Sequence, residues 1–579
     1  MFKYKKPFHV IDGRIRDAEG NEVRLWGVNY YAPFHHNYYN LQEMGIDHFQ
    51  AIERDIRDFK RMGIELVRMH LFDREISDID GNVVDNDHLR VLDYLIQRLN
   101  EEGIYLMLTP IAWWNTSENQ VMVTNGYAYW DIGQSPAFGF SNFFPKHSMI
   151  WNEKALNCQE RYLSQLFERK NRFSGKRWNR YENLVVIEII NEPEYPYPTV
   201  IERLKQNRDK LAVNPIGREE LKLLDLYDSY LNGGEDTYEN RQHFCADLVG
   251  KYINRMFGVV AKYFGDTVLK THIHYGYQDR DLHDVLMKSS NDSISVTMYA
   301  PCTFDTAHND NYNFFGEIRY LKSSYTALND IPKGLIAYEF NAPSTLTGYS
   351  LGALAYMMAS VGIQIAAYFT YTPVDIAAYN PGWIVHYLNL YHTPSRAAAF
   401  TAAGEIFRKT VCNSPIPDND VIWAGEGFEV KKDGDSVIYL DDEKFIYSNS
   451  GEHFEVKNIL PQKIIGRGNS QFVRHDGNGC YFLEQISKSE WRLTVLPDQW
   501  YVSDPYRGKS FSMMGNRYIN VNTVPVVSRL KEYGSKMKIL YPGLEYATIK
   551  YLNGNRWKTV KTVDGEFFAT PGTYTIKTK

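Results

Sequence analysis

The sequence predicts an α/β protein in which a closed (β/α)8 TIM barrel is followed by all-β sandwich domains. The first observation is the stretch 183–197, ENLVVIEIINEPEYP, where a run of Val and Ile ends in an acid and a proline. This pattern is typical of a parallel strand that is covered on both faces and places a carboxylate at its C-terminal end. The second observation is that residues 334–343, GLIAYEFNAP, repeat the arrangement and include Glu339. The third is that beyond residue 413 short alternating strands are separated by Gly, Asn and Asp.

The composition of the 579-residue chain is that of a large globular protein. A chain of this length is expected to form roughly two to four domains. The net charge of −6 gives no sign of a nucleic-acid or membrane-surface partner. The aromatic content of 15% is high, and part of it suits a site where flat rings stack on apolar faces. The five cysteines are widely spaced, so neither a disulfide framework nor a thiolate metal site is indicated.

The first residues of the chain, MFKYKKPFHVIDG, lack the apolar core of a signal peptide. Two locations therefore remain open: the cytoplasm, or a secreted or periplasmic location with the signal removed. No apolar run reaches the roughly 18 residues of a transmembrane helix, so no membrane span is expected. The sequence indicates no oligomeric state.

The barrel elements follow from apolar runs that alternate with amphipathic helices. A hairpin over 7–24 precedes the first barrel strand, which leads into Asn29. Gly63 and Gly103 end the first two helices, and Arg68 lies at the end of the second strand. The predicted strands are 24–28, 64–70, 104–108, 183–190, 268–274, 293–299, 334–339 and 362–370, and the predicted helices include 48–62, 87–102, 152–170, 348–360 and 394–410.

The chain is divided into three predicted domains. The barrel contains two insertions, because two of its connections are longer than one crossover needs. The predicted divisions are a catalytic barrel over 1–412 with insertions near 110–149 and 205–240, a β-sandwich over 413–505, and a small immunoglobulin-like β domain over 506–579.

The insertion near 110–149 follows the third barrel strand and is rich in aromatic residues. Loops of this length inside a compact domain are usually functional. Its Trp113, Trp114 and Trp130 are candidate platforms for a sugar ring.

The candidate chemistry lies in two carboxylates, Glu192 and Glu339, which follow the fourth and seventh strands. In a closed barrel the C-terminal strand ends meet at one mouth, where barrel enzymes build their active sites. Cleavage of a glycosidic bond needs such a pair, because one acid protonates the leaving oxygen while the other carboxylate attacks the anomeric carbon. Strand alternation places Ala337 on the face of Glu339, so small apolar residues are expected beneath it. Glu188 is expected to be structural and paired with Arg68.

The same residues resemble those of a known family. The sequence NEP at 191–193, together with Glu339 on the seventh strand, resembles the retaining glycoside hydrolases of clan A. The nearest pattern is that of family five, the cellulases and β-mannanases. The opening stretch GRIRDAEGNEVRLWGVN and the VRMH that contains Arg68 are similar to the same pattern, and the resemblance covers roughly residues 8–410.

The resemblance implies a retaining β-glycoside hydrolase that needs no cofactor or metal and acts on a β-linked glycan or oligosaccharide. Glu192 is implied to be the acid/base and Glu339 the nucleophile of a double displacement. Asn191 is implied to hydrogen-bond the substrate 2-hydroxyl.

The resemblance also implies the surroundings of the two carboxylates. Arg68 would keep Glu339 ionised, and Tyr299 at the end of the sixth strand would hydrogen-bond it. His274 or Tyr275, after the fifth strand, would lie near the acid/base. A cation and a hydroxyl donor next to a carboxylate favour its charged form, which agrees with a nucleophilic role for Glu339.

Two strand ends depart from family five. TPIAWW follows the third strand in place of histidines, and YFTYTP at the eighth strand offers Tyr371 in place of Trp. His36, after the first strand, is a further candidate substrate contact. Because these positions would contact the sugar, the substrate and the family within clan A remain open.

Three alternatives remain beside this interpretation. One is an exo-acting enzyme of the β-galactosidase or β-glucosidase type from another clan A family. The second is a non-catalytic carbohydrate-binding barrel, against which the intact carboxylate pair argues. The third is another barrel chemistry, an aldolase or a metal-dependent hydrolase, which would need a lysine at the mouth or a His/Asp metal set. The sequence contains no HExxH motif, no CxxC pair and no nucleotide-binding fingerprint.

Overall fold

Eight parallel strands close into a barrel, which confirms the predicted fold class. The computed structural model describes residues 2–112, 139–144, 146–213, 218–273, 280–300, 313–325, 331–342, 345, 347–377, 388–503, 510–511, 518–519, 523–527 and 533–578. A short antiparallel hairpin, β1 (His9–Ile11) and β2 (Arg14–Arg16), precedes the barrel. The barrel strands are β3 (Leu25–Asn29), β4 (Leu66–His70), β5 (Tyr105–Thr109), β6 (Leu184–Glu188), β7 (Leu269–Ile273), β8 (Ser293–Tyr299), β9 (Gly334–Asn341) and β10 (Ile365–Tyr368).

Each barrel strand pairs with its neighbours in chain order, and β10 closes the ring by pairing with β3. Thirteen α-helices are described around the strands and in the connections between them. These helices are α1 (His35–Glu43), α2 (His48–Arg61), α3 (Asp73–Ile76), α4 (Asp87–Glu102), α5 (Glu153–Glu168), α6 (Pro198–Gln206), α7 (Arg208–Ala212), α8 (Arg218–Leu231), α9 (Tyr238–Phe264), α10 (Arg280–Lys288), α11 (Phe314–Tyr325), α12 (Tyr349–Ser360) and α13 (Pro394–Lys409). Short 3-10 helices are Phe140–Phe143, Lys146–Ile150 and Trp178–Arg180.

The barrel has two apolar layers. Side chains inside the strands, such as Met107, Val186 and Ile336, form an interior cluster that also includes Ile15 of the hairpin. A much larger cluster lies between the outside of the strands and the helices. The interior is thus a packed core below the mouth, as barrels of this size require.

A β-bulge in β9 changes the orientation of its C-terminal half. Val296 on β8 pairs with Ala337, but the next residue, Thr297, pairs with Glu339, so Tyr338 is an extra residue. The expectation that Ala337 and Glu339 share a face is wrong, because Ala337 belongs to the outer cluster whereas Tyr338 belongs to the interior one. A bulge re-aims the side chains that follow it. Glu339 therefore reaches the barrel interior, which strict alternation does not allow.

The C-terminal region forms mixed β-sheets that are not divided at the predicted position. One sheet of ten strands contains strands from both sides of residue 505, because β18 pairs with β27. Such long-range pairing leaves no local signal in the sequence. The strands are β11 (Ile422–Gly425), β12 (Phe428–Lys431), β13 (Ser436–Leu440), β14 (Lys444–Tyr447), β15 (Lys463–Gly466), β16 (Val473–His475), β17 (Tyr481–Ser487), β18 (Glu490–Val495), β19 (Gln499–Ser503), β20 (Ser510–Phe511), β21 (Tyr518–Ile519), β22 (Thr523–Val527), β23 (Ser535–Ile539), β24 (Thr548–Asn553), β25 (Arg556–Thr559), β26 (Glu566–Ala569) and β27 (Gly572–Lys577).

Two barrel helices pack directly on this sheet. A Cβ atom added to Gly352 of α12 would lie 2.8 Å from Cγ2 of Val430 on β12, so the helix and the sheet are in close contact. Val430, Val437 and Trp423 belong to the same apolar cluster as the barrel helices. The barrel and the first strands of the sheet therefore share one core.

Candidate active site

The guanidinium of Arg68, at the end of β4, is the centre of a buried network at the barrel mouth. Its Nη1 donates to Oε1 of Glu339 at 3.0 Å and to Oδ1 of Asn29 at 2.8 Å. Its Nη2 donates to Oδ1 of Asn191 at 2.9 Å and to Glu188. Arg68 is fully buried, so its charge is not screened by solvent. One cation thus links strands one, two, four and seven of the barrel.

Glu339 is held at both carboxylate oxygens. Oε1 accepts from Arg68, and Oε2 accepts from the hydroxyl of Tyr299 at the end of β8 at a distance of 2.5 Å. The Nε2 atom of His70 lies 3.7 Å from Oε1, and burial lowers the pKa of His70 well below its usual value. His70 is therefore neutral near Glu339 and contributes no second positive charge.

Glu192 follows β6 in an unusual backbone conformation. Its φ angle is +42°, in the left-handed region that non-glycine residues seldom occupy. Its Oε1 accepts a hydrogen bond of 3.0 Å from the hydroxyl of Tyr338. Strained backbone of this kind clusters at functional sites. The β9 bulge thus brings the side chains of both Tyr338 and Glu339 to the site. Tyr338 hydrogen-bonds Glu192, and the charge of Glu192 raises the pKa of Glu339.

A third carboxylate lies deeper in the barrel. Glu188 is completely buried, and its Oε1 accepts from Arg68 and from the hydroxyl of Thr109 at 3.0 Å. It is the last residue of β6, four residues before Glu192, and it is closed off from solvent. Its role in the structure is to share the charge of Arg68.

The electrostatics of the site favour retention of a proton. Burial raises the pKa of Glu339, and the nearby carboxylate of Glu192 adds to this effect. The charge of Arg68 and the hydrogen bond from Tyr299 act in the opposite direction. Because Arg68 also forms an ion pair with Glu188, its charge does not fully offset the effect of burial on the pKa of Glu339. Burial and the neighbouring carboxylate thus raise the pKa of Glu339 above that of an ordinary glutamate despite these two contacts.

Lys146 brings a second cation to the mouth. It begins a 3-10 helix and is only 8% exposed. Burial lowers its pKa, while the charges of Glu192, Glu194 and Glu339 oppose that shift. Lys146 and Glu192 line the same cavity, whose volume is about 430 Å³.

The structure brings together only some of the residues singled out in the sequence. Glu192, Glu339, Asn191, Arg68 and Tyr299 lie in one cluster. The candidates Trp113, Trp114, Trp130, His274 and Tyr275 lie outside the described residues. The backbone of His36 belongs to α1, and its side chain is likewise outside the description.

Tyr371 lies away from the carboxylates. It is fully buried, and its ring contacts those of Phe59 on α2 and Tyr30. Its hydroxyl accepts from Asn389 at 3.4 Å. This position is in the layer between the strands and the helices and not in the mouth.

Sequence reasoning missed Tyr338, Lys146, Asn29 and His70 as members of the site. Tyr338 depends on the bulge, and Lys146 lies in an irregular segment far from its strand. Asn29 and His70 had a usable signal, because His70 ends a predicted barrel strand and Asn29 directly follows one. A systematic search of every strand end for polar residues would have found these two.

No protein-family model and no curated protein sequence matches the chain. Among solved structures, the chain is similar to an endo-1,4-β-mannanase from Rhizomucor miehei, with 14% identity, a TM-score of 0.45, and coverage of 70% of this chain and 99% of that one. It is also similar to an endo-β-1,4-mannanase from Thermotoga petrophila, with 12% identity, a TM-score of 0.46 and coverage of 88% and 98%. A third similar structure is an exo-β-1,4-mannosidase from Opitutaceae bacterium strain TAV5, with 12% identity, a TM-score of 0.43, and coverage of 68% of this chain and 61% of that one.

The described part of the chain contains neither a candidate membrane-spanning helix nor a candidate metal cluster. None of its helices is long and apolar enough to cross a membrane. Within the same residues, no group of three or more His, Cys, Asp or Glu side chains is arranged to hold a metal ion.

Proposed function

We propose that the protein is a retaining β-glycoside hydrolase that cleaves a β-linked glycan or oligosaccharide by double displacement. The observation that carries the proposal is the carboxylate pair at the barrel mouth. Glu192 follows barrel strand four and Glu339 lies near the C-terminal end of strand seven; the two interact electrostatically and are hydrogen-bonded by different donors. Glycosidic bond cleavage requires two such carboxyl groups in different environments.

In the first step, Glu339 attacks the anomeric carbon while Glu192 donates its proton to the glycosidic oxygen. The bond to the leaving group breaks, and a glycosyl ester of Glu339 forms. In the second step, Glu192 accepts a proton from water, and the water oxygen attacks the anomeric carbon and releases Glu339. Each step leaves Glu192 ready for the next, so no external acid or base is needed.

The division of roles rests on the hydrogen-bond donors. Glu339 accepts from a guanidinium and a phenol, which stabilise a carboxylate and orient both its oxygens. Glu192 accepts from a single neutral hydroxyl and is free of a direct bond to Arg68 among the described contacts. The acid/base role is therefore assigned to Glu192 on its hydrogen bonds, and because burial and the charge of Glu192 raise the pKa of Glu339, the proton must reside on Glu192 when the substrate is bound. Asn191 uses its Oδ1 toward Arg68, which leaves its side-chain N–H groups to donate to the substrate 2-hydroxyl.

Replacement of the nucleophile tests the proposal directly. Glu339→Ala is expected to lower turnover of β-glycosides by at least about 10³-fold, because the covalent step is lost. Added azide should restore turnover with an activated aryl β-glycoside and give the α-glycosyl azide, since it attacks in place of Glu339. In Glu192→Ala, azide should instead intercept the glycosyl ester and give the β-glycosyl azide.

The matched control is Glu484→Ala, which removes a carboxylate from β17 in the C-terminal sheet and should leave turnover unchanged. Product anomers are assigned by NMR. Undiminished activity of Glu339→Ala on every substrate that the wild type cleaves would falsify the role of the pair. Sugar binding without cleavage by the wild type across a broad glycan panel would instead favour a binding protein.

A further inference from the structure

A cavity beside Glu192 lies on one side of the carboxylate pair. It has a volume of about 430 Å³, which is within the range of small-molecule sites. Its wall includes Glu192, Glu194, Lys146, Tyr195, Tyr197 and Arg203. Glu339 is described in the structure but is not part of this wall. The cavity is therefore adjacent to one of the two catalytic groups only.

Because the cavity contacts Glu192 and not Glu339, its position is that expected for the sugar that leaves during cleavage. In the proposed reaction the acid contacts the glycosidic oxygen, whereas the nucleophile contacts the anomeric carbon itself. The sugar that departs is bonded to the oxygen that Glu192 protonates. A cavity in contact with Glu192 but not with Glu339 is therefore on the side of the departing sugar.

The walls of the cavity are held in place. Tyr195 is buried, and its hydroxyl donates to the carbonyl oxygen of Ile273 at 2.9 Å and contacts His272. Tyr197 caps the beginning of α6, where Val200 N–H donates to its carbonyl oxygen at 2.9 Å. The ring of Tyr195, fixed by its hydroxyl, offers an apolar face to a sugar, and the backbone of Tyr197 is fixed at the helix start, so orientation is left to the polar groups of the cavity.

Lys146 is a buried cationic group in the wall of the cavity. Its side chain is almost completely removed from solvent, and it lies near Glu192, Glu194 and Glu339. An ammonium has three N–H donors, so it can serve a carboxylate and a ligand oxygen together. A buried lysine in contact with the cavity thus provides a directed donor next to the proton donor.

The charges around Lys146 indicate which leaving groups fit. Glu194 contributes one negative charge, and the Glu192–Glu339 pair contributes at least one more when it holds a single proton. In the same wall Glu220 contributes a further negative charge and Arg203 a second positive one, so the positive charges of Lys146 and Arg203 are already compensated. A leaving group with its own carboxylate or sulfate would add an uncompensated negative charge in a partly buried site, which is unfavourable. A neutral hydroxyl group accepts from Lys146 without this cost.

We propose that Lys146 is a specificity-determining residue that donates a hydrogen bond to a hydroxyl group of a neutral sugar leaving group bound in the cavity beside Glu192. The inference rests on the proposed glycosidase function and extends it to the leaving-group side. It concerns which bond is cleaved and not whether cleavage occurs.

The test compares two leaving groups on the same glycosyl unit. Cellobiose, mannobiose and laminaribiose supply neutral sugar leaving groups, and the 2,4-dinitrophenyl β-glycosides of the same sugars supply one that lacks the hydroxyl. Lys146→Met should lower kcat/KM for the disaccharides by about 10- to 100-fold, the effect of losing a charged hydrogen bond. It should change kcat/KM for the dinitrophenyl glycosides by less than about 3-fold. Lys146→Arg should recover part of the loss.

The controls separate this role from a structural one. Lys154→Met removes an exposed lysine at the beginning of α5 and should leave both substrate classes unchanged. A loss in Lys146→Met that is equal for both leaving groups, or no loss at all, overturns the inference. So does a wild-type preference for a uronic acid over a neutral sugar as leaving group.

Different results would contradict the glycosidase proposal and the inference about Lys146. If the wild type cleaves neither substrate class, the glycosidase proposal itself fails. If the wild type cleaves both, and Glu339→Ala abolishes both, but Lys146→Met does not discriminate between them, only the inference about Lys146 fails.

Discussion

At the scale of single residues, Arg68 determines how the site is charged. One guanidinium is shared by Glu188 and Glu339 and by the amide oxygens of Asn29 and Asn191. Because Arg68 also pairs with Glu188, it lowers the pKa of Glu339 less than it would if Glu339 were its sole partner. The remaining stabilisation of charged Glu339 comes from Tyr299, whose hydroxyl donates at 2.5 Å.

This arrangement makes Tyr299 a test of the nucleophile's pKa. Tyr299→Phe removes a donor that lowers the pKa of Glu339, so that pKa is expected to rise. Since the nucleophile must be ionised, the acidic limb of the kcat/KM profile should move to higher pH, by about 1 unit, and kcat should fall about 10- to 100-fold. The measurement is a pH–rate profile with an aryl β-glycoside.

Tyr338→Phe is the matched variant, because it removes the same hydroxyl from the acid/base side. It should leave the acidic limb close to that of the wild type. If the acidic limb of Tyr299→Phe stays in place, the hydroxyl does not control ionisation of Glu339, and the assignment of nucleophile and acid must be reconsidered.

At the scale of elements, the eight barrel strands could be predicted, but the geometry of one of them could not. The apolar runs and the acids that follow them place Glu192, Glu339, Arg68 and Tyr299 at strand ends, where parallel strands meet at one mouth. The bulge in β9 has no local signal in GLIAYEFNAP, because it depends on the register with β8. Consequently strand alternation could not predict that Tyr338 and Glu339 both reach the site.

The register between β3 and β4 also determines which side chains meet at the site. Gly27 pairs with Leu66, and two residues further on Asn29 pairs with Arg68. A Cβ atom at Gly27 would lie 2.1 Å from the carbonyl oxygen of Leu66, which is backbone and cannot move aside. The glycine therefore permits the close strand contact that positions Arg68.

Gly27→Ala is expected to force β3 and β4 apart and to destabilise the protein by at least about 2 kcal/mol. Activity should fall as well, because the Asn29–Arg68 hydrogen bond depends on this register. Urea unfolding and steady-state kinetics measure the two effects. Gly258→Ala is the control: it lies within α9, where the added carbon would meet no atom within 4 Å apart from the backbone of its own helix, and should raise stability by about 0.5–1 kcal/mol. Equal stability of the two variants would contradict the proposed close contact.

At the scale of the whole molecule, the barrel and the C-terminal sheets form a continuous structure. The change to short alternating strands after residue 413 could be predicted from composition. The pairing of β18 with β27 could not, because it joins segments that are far apart in the chain. Because α12, α13 and the first sheet strands share one apolar core, the C-terminal region is packed directly on the barrel.

A buried ion-pair network also joins the two parts. Glu405 of α13 accepts from Lys444 of β14 at 2.8 Å and pairs with Arg408 at 2.9 Å, and Arg408 in turn donates to Glu65 at 3.0 Å. Burial opposes ionisation of Glu405, but the charges and hydrogen bonds of Arg408 and Lys444 outweigh it and lower the pKa of Glu405 to about 2. The charged form of Glu405 is thus favoured by folding.

Glu405→Gln is expected to lower the free energy of unfolding at pH 7 by about 3 kcal/mol, the value that corresponds to a pKa of about 2 in the folded state against 4.5 as the ordinary value. Because the folded-state pKa is the lower one, this contribution is fully present above pH 4.5 and is lost as the pH falls toward 2. The difference between wild type and variant should therefore shrink in urea unfolding series between pH 5 and about pH 3.5. Glu443→Gln, an exposed carboxylate next to Lys444, should show no such difference. A difference for Glu405→Gln that stays constant over this range would mean that the lost side-chain packing, and not the charge, links the barrel to the sheet.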